Sequence, residues 1–215
     1  MIILFFTDLQ IIHAALDFGV DGGVSLRDVF NWNHTIWAHL FEDNIFDQAT
    51  QITPVLLRPK SRGSVVLGGP SIHDHPIIDT NFLDHPEDIQ TLVEGMKFLK
   101  RLEETEEFRK HDMHLRADKL LCGNRHGLFS DAYFHCYVRE YIAPVYHPVS
   151  TCRMGPAGEN SVVDHRLRVH GIKKLRVVDA SIMPNLVGGN TNAACVMIGE
   201  KGASMILEDN MKGYD

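Results

Sequence analysis

The sequence predicts an α+β fold: short strands, then two amphipathic helices, then a closing strand, loop and helix. Three observations carry this reading. Between Gln51 and Thr80, β-rich runs alternate with turn residues. After Pro86 and again after Ser130, apolar residues recur at helical spacing. From Leu175, a β-branched run passes through a Pro/Gly loop into an Ala/Met/Ile-rich stretch.

Taken in order, Met1-Ile2-Ile3-Leu4-Phe5-Phe6 reads as a buried strand. It has no basic region ahead of it, and Asp8 and Gln10 interrupt the run before a signal-peptide core is complete. Thr53–Leu57, Ser64–Leu67 and Ile77–Ile78 read as strands. Turn chemistry at Pro59, Ser61-Arg62-Gly63 and Gly68-Gly69-Pro70 separates them, giving a hairpin that feeds another strand. Pro86, Glu87 and Asp88 open a helix, because proline fits the first turn and acids suit the positive end of the dipole. Ile89, Leu92, Val93, Met96, Leu99 and Leu102 then form its apolar stripe. Ser130 caps a second helix through Phe134, Tyr137, Val138, Tyr141 and Ile142, which stops before Pro144. Leu175–Asp179 reads as a strand, and a helix runs from Asn192 to Leu207 after the Pro184–Gly189 loop.

Composition narrows the function. The 215 residues carry 21 Lys+Arg against 28 Asp+Glu, a net charge of −7, with no basic stretch, which argues against a nucleic-acid footprint. The chain is 44% apolar and 23% charged, so it is neither disordered nor, lacking any long apolar run, membrane-spanning. At this length roughly 70% of the extended-chain surface can be buried. Cys122, Cys136, Cys152 and Cys195 are widely spaced without a C-x-x-C pair, so neither a structural zinc site nor a dense disulfide framework is predicted. Thirteen histidines raise the question of metal, but His73-x-His75 and His111-x-x-His114 lie in polar stretches outside any H-E-x-x-H pattern. No metal site is therefore predicted. There is no G-x-S-x-G elbow, and the proximity of His147 to Ser150 does not build a triad.

Two segments are more informative: Tyr146-His147-Pro148-Val149-Ser150-Thr151-Cys152-Arg153-Met154-Gly155, and Val178-Asp179-Ala180-Ser181-Ile182-Met183-Pro184 with Gly188-Gly189-Asn190-Thr191-Asn192. With Val162-Val163-Asp164 and Leu167-Arg168-Val169-His170-Gly171 between them, they closely resemble the C-terminal region of glucose-methanol-choline (GMC) flavin oxidoreductases. Leu56-Leu57-Arg58-Pro59-Lys60-Ser61-Arg62-Gly63 and Asp88-Ile89-Gln90-Thr91-Leu92-Val93-Glu94-Gly95 look most like the insect glucose dehydrogenase (FAD, quinone) type.

The resemblance implies FAD as cofactor, a small-molecule alcohol or sugar as substrate, and a quinone or oxygen as electron acceptor. It implies His147 beside the reactive face of the flavin with Asn190 as its partner. The chemistry fits those residue types. Oxidising an alcohol removes a proton from oxygen as a hydride leaves carbon, and imidazole, with an ordinary pKa of about 6.5, accepts such a proton at neutral pH. An amide can donate to the developing alkoxide. By the same resemblance Asp179 and Ala180 are cofactor-binding candidates along the ribityl and phosphate part, although Asp179 could equally serve as a cap. Asn190, Thr191 and Asn192 are candidates at the pyrimidine edge. Arg58, Lys60 and Arg62 read as a solvated hairpin rather than a phosphate clamp. Ser150 stands where the family usually has glycine, His165 where proline is usual, and Ala194 where proline often follows.

The family's dinucleotide-binding half begins with strand, G-x-G-x-x-G and helix, and this chain has no such motif. The expectation is therefore a C-terminal part of a longer enzyme that does not hold FAD tightly alone. The resemblance implies a largely antiparallel substrate-binding sheet backed by helices, and residues 1–58 would end that sheet region, truncated at the N-terminus. Residues 59–207 would form the GMC C-terminal domain, whose last strand and helix return to the FAD-binding domain, and 208–215 would be a tail. Secretion follows only if the intact protein carries a signal peptide. The alternative functional reading is a non-catalytic binding or structural module that keeps the fold without FAD, and a His-rich metal-binding protein is the third.

Overall fold

Helix and strand boundaries come from a computed structural model, which describes residues 8–15, 19–42, 45 and 49–211. The chain divides into two units: Met1–Leu56 with Phe82–Val145, and Leu57–Asn81 with Tyr146–Asp215.

In the first unit β1 (Leu9–Ala14) and β2 (Gln51–Leu56) form an antiparallel ribbon with Leu9 opposite Leu56 and Ala14 opposite Gln51. Pro54 lies within β2, opposite Ile11, a position that a two-stranded ribbon tolerates because its edges need no further donors. The strand expected over Met1–Phe6 lies outside the described residues. Short helix α1 (Leu26–Val29) leads to α2 (His34–Phe41), which buries Trp37, Leu40 and Phe41 in a cluster with Tyr141.

Helix α3 (Pro86–Glu103) begins and ends as its sequence dictates. Pro86 is in the first turn with Glu87 and Asp88, and Lys100 and Arg101 occupy the last. It buries Ile89, Leu92, Val93 and Leu99. A Cβ added at Gly95 would come within 2.8 Å of Pro54 Cβ and 3.1 Å of Leu9 Cδ1, so glycine there lets the helix lie directly on the ribbon. Two short helices follow, α4 (Glu106–Lys110) and α5 (Cys122–His126), before α6 (Asp131–Tyr141). Ser130 caps α6 by accepting from Tyr133 N–H at 3.1 Å, and Tyr133, Phe134, Val138 and Tyr141 face inward.

One disulfide, Cys122–Cys136, fastens α5 to α6. The cysteine spacings alone do not announce this pairing. Beside it the buried Asp118 carboxylate accepts the N–H groups of Leu120, Leu121 and Cys122 at 2.9, 2.9 and 2.7 Å. Burial opposes the charge, but these donors outweigh it and hold the carboxyl below its ordinary pKa. Tyr133 Oη accepts from Asp118 N–H at 2.9 Å, and burial pushes the phenol up to about 12.

In the second unit a hairpin forms between β3 (Ser64–Val66) and β4 (Ile77–Asp79), the second and third of the expected runs, while the first, β2, pairs with β1 and feeds no hairpin. The strand expected over Leu175–Asp179 does not form. That stretch makes a single bridge, Arg176 to Arg168, and directs Val177 and Val178 into a core of Val163, Leu167, Ile182, Met183 and Ile198. Packing replaces a ladder here. Asp179 then caps the 3₁₀ turn Ala180–Ile182.

Helix α7 (Asn192–Met211) runs past the expected end at Leu207. Two arginines engage its last turns: Arg166 donates to Met205 O at 3.2 Å and pairs with Glu208 and Asp209, and Arg176 also pairs with Asp209. A Cβ at Gly202 would overlap Val178 Cγ1, so this glycine permits α7 to lie against the core.

Asp164 organises the turn before these arginines, accepting from Arg166 N–H at 2.8 Å, Arg168 N–H at 2.9 Å and the Arg168 guanidinium. Burial works against the charge, yet these donors lower its pKa to about 2. A depressed carboxylate contributes stability that is present above its unfolded pKa of about 3.9 and lost as pH falls through the folded value. This contribution is about 2 kcal/mol. Asp164→Asn should lower stability at neutral pH and flatten acid unfolding, followed by circular dichroism, between about pH 4 and pH 2.

Candidate functional site

The second unit laces two distant segments together. Ser150 Oγ donates to Met183 O at 2.7 Å, Cys152 N–H to Ser181 O at 3.0 Å and Met154 N–H to Ile182 O at 2.8 Å. Arg153 reaches Pro184 O at 3.2 Å, and Arg62 reaches Asn185 Oδ1 at 3.2 Å. Arg62 also donates to the carbonyls of Pro59 and Ser61, so it pins the backbone ahead of β3. This lacing fixes the His147 segment relative to the start of α7.

His147 is consequently held at both ring nitrogens by consecutive residues more than 40 positions away. Asn190 Nδ2 lies 2.8 Å from Nε2 and Thr191 Oγ1 lies 3.0 Å from Nδ1. An amide NH₂ can only donate, so Nε2 is the acceptor, and Nδ1 carries the hydrogen and donates to the Thr191 hydroxyl. His147 is half-buried, Thr191 buried and Asn190 exposed. The ring is anchored on its inner side while Nε2 faces the accessible residue.

Thr191 O accepts from Cys195 N–H at 2.9 Å, which makes Thr191 the cap of α7 and leaves the N–H groups of Asn192, Ala193 and Ala194 without intrahelical acceptors. Nothing lies within 4 Å of where a Cβ would stand at Gly188 or Gly189, so the preceding loop borders open space. Backbone donors, a helix dipole and room beside an imidazole suit an electron-rich group bearing carbonyl oxygens. Asn192 is exposed at the first helical position. Asp179 and Ala180 stand in the 3₁₀ turn, where Asp179 Oδ1 accepts Ser181 N–H at 2.7 Å and Ala180 packs against the core.

The departures from the family pattern acquire physical content. Ser150 has φ +76°, in the left-handed region that glycine adopts freely, and Tyr146 has φ +56°. The Ser150 hydroxyl offsets its strain through the bond to Met183 O. Ser150→Gly should therefore be close to neutral, whereas Ser150→Ala keeps the strain, loses the bond, and should cost about 1 kcal/mol in denaturant unfolding. Ala194 lies in the first turn of α7, where an N–H has no helical partner and proline and alanine are equally accommodated. His165 is exposed in the turn after Asp164.

The Thr191 contact to His147 and the Ser150 contact to Met183 are what sequence reasoning missed. Serine in a glycine position was the available signal for the second; nothing local signals the first. Among the described residues, no group of three or more His, Cys, Asp and Glu side chains is arranged to hold a metal ion. Among the same residues, no helix is long and apolar enough to cross a membrane.

The chain resembles several known proteins. The chain is 44% identical over 160 residues to a glucose dehydrogenase [FAD, quinone] of Drosophila pseudoobscura pseudoobscura, covering 74% of this chain and 26% of that protein. It is 33% identical over 187 residues to an oxygen-dependent choline dehydrogenase of Cronobacter sakazakii, covering 86% of this chain and 29% of the relative. The fold matches a formate oxidase of Aspergillus oryzae with a TM-score of 0.63 at 30% identity, over 76% of this chain and 27% of that one. The chain thus spans roughly a quarter to a third of the length of these proteins. The family model for GMC oxidoreductases matches residues 59–199, a span that contains His147, the lacing and the start of α7, and the chain belongs to the GMC oxidoreductase family.

Proposed function

We propose that this chain forms part of an FAD-dependent oxidoreductase acting on the CH–OH group of a small alcohol or sugar, with His147 as the base and Asn190 as its partner. The observation that carries this reading is the clamp on His147: Nδ1 turned inward to Thr191 and Nε2 presented at the accessible side to the exposed Asn190 amide. The names of the relatives, a quinone-linked glucose dehydrogenase and an oxygen-dependent choline dehydrogenase, support a sugar or alcohol donor with a quinone or oxygen as acceptor.

In the proposed reaction, the donor hydroxyl displaces the Asn190 amide from Nε2 and hydrogen-bonds to the ring nitrogen. His147 Nε2 takes the hydroxyl proton as the carbon gives up its hydride. The Asn190 amide donates to the substrate oxygen, where negative charge develops, and Thr191 keeps the imidazole in the tautomer that leaves Nε2 free to accept. FAD, when bound, supplies the two-electron acceptor. The residues that would hold it are Thr191 and Asn192, with the unpaired N–H groups of α7, at its pyrimidine edge, and Asp179 and Ala180 along its ribityl and phosphate part.

The test is the visible spectrum after incubation with FAD and removal of free cofactor, on the 215-residue chain and on an upstream-extended form. A retained flavin band that bleaches with an alcohol or sugar in either protein is the expected result. Absence of flavin from both would overturn the proposal and leave a module that keeps the fold without the cofactor.

A further inference from the structure

Asn33-His34-Thr35 is the one N-x-S/T triplet among the ten asparagines of the sequence. We infer that Asn33 is an N-glycosylation site and that this chain matures in an oxidising, secretory compartment. Two structural observations point the same way. All three residues of the triplet are exposed, as an acceptor segment must be. The same unit carries the Cys122–Cys136 disulfide, a cross-link that persists in the compartments where protein N-glycosylation takes place and is rare where thiols are kept reduced.

The local geometry accommodates the modification. Asn33 precedes α2 in an extended conformation, φ −56° and ψ 141°, and its Oδ1 accepts the Thr35 N–H at 2.8 Å. The helix cap thus uses the amide oxygen, whereas glycan attachment uses the amide nitrogen. In the transfer, Nδ2 forms a bond to the anomeric carbon of a lipid-diphosphate-linked oligosaccharide. The bond from that carbon to the diphosphate oxygen breaks, the lipid diphosphate leaves with the electron pair, and Nδ2 gives up one proton. Oδ1 remains a carbonyl oxygen and continues to cap α2.

The full chain behind a cleavable secretory leader, translated with microsomes and assayed in the protease-protected fraction, tests the inference. The expected result is an upward mass shift that endoglycosidase removes and that Thr35→Ser retains. Asn33→Asp and Thr35→Ala should both abolish it. The aspartate keeps an oxygen in the capping position and the alanine leaves Asn33 intact, so neither loss can be assigned to an uncapped helix. A protected chain that runs unshifted, or a shift that survives Asn33→Asp, overturns the site. Two freely alkylated thiols at Cys122 and Cys136 in the protected chain would overturn the compartment.

Discussion

His147→Ala in the flavin-loaded, upstream-extended protein should slow donor oxidation by about two to four orders of magnitude, the contribution expected of a positioned base. Flavin content should be unchanged, because the residues proposed to meet the cofactor's pyrimidine edge are at the start of α7 rather than on His147. The measurement is the rate of flavin bleaching by excess alcohol or sugar, compared at equal flavin absorbance. A rate within a factor of about three of the parent would remove His147 from the chemistry. Thr191→Val offers a graded companion: it removes the hydrogen-bond acceptor for Nδ1–H and should cost up to about tenfold, the kinetic equivalent of one hydrogen bond. Thr191→Ser should restore the rate.

Breaking Cys122–Cys136 is expected to be the largest stability change available in the first unit. The cysteines are 14 residues apart, and closing a loop of that size stabilises a protein by about 3 kcal/mol, mainly by restricting the unfolded chain. For a chain of this length that corresponds to roughly 10 °C in Tm. Cys136→Ser, or the parent protein with reductant, should show this loss in thermal unfolding. Cys152→Ser should not, because Cys152 is a free thiol. The disulfide also adjoins the Asp118 carboxylate and its three N–H donors, so loosening it should expose Tyr133, whose hydroxyl accepts from the same residue. A Tm indifferent to reductant would show that the helices α5 and α6 are held by packing alone.

The helices were legible because their signals are local. Pro86 with two acids and Ser130 with the Phe134–Tyr141 stripe each mark a start and a buried face within a few residues of the chain. The pairing of β2 was not legible: Pro54 interrupts its pattern, and its partner β1 is separated from it by 36 residues that include two helices. Leu175–Asp179 misled for a related reason, since a β-branched run serves equally well for packing against a core as for a ladder. At the site, motif resemblance drew attention to His147, Asn190 and Thr191, but the contacts that join them span 43 and 44 residues. Such contacts depend on the lacing between residues 150–154 and 181–184, which no spacing rule encodes. The disulfide was hidden by arithmetic, because a single bridge among four cysteines can form in six ways.

Helix α7 is tethered at both ends: its cap holds the imidazole through Thr191, and Asp209 near its other end is gripped by Arg166 and Arg176. A rod fixed in this way acts as a spacer with a set rotational phase. Each residue of an α-helix advances it by 1.5 Å and turns it by about 100°, so inserting one residue mid-helix would rotate Asp209 out of reach of the arginines or turn Thr191 away from the ring. Substitutions at the exposed positions of α7 can be absorbed locally, but a change in its residue count cannot.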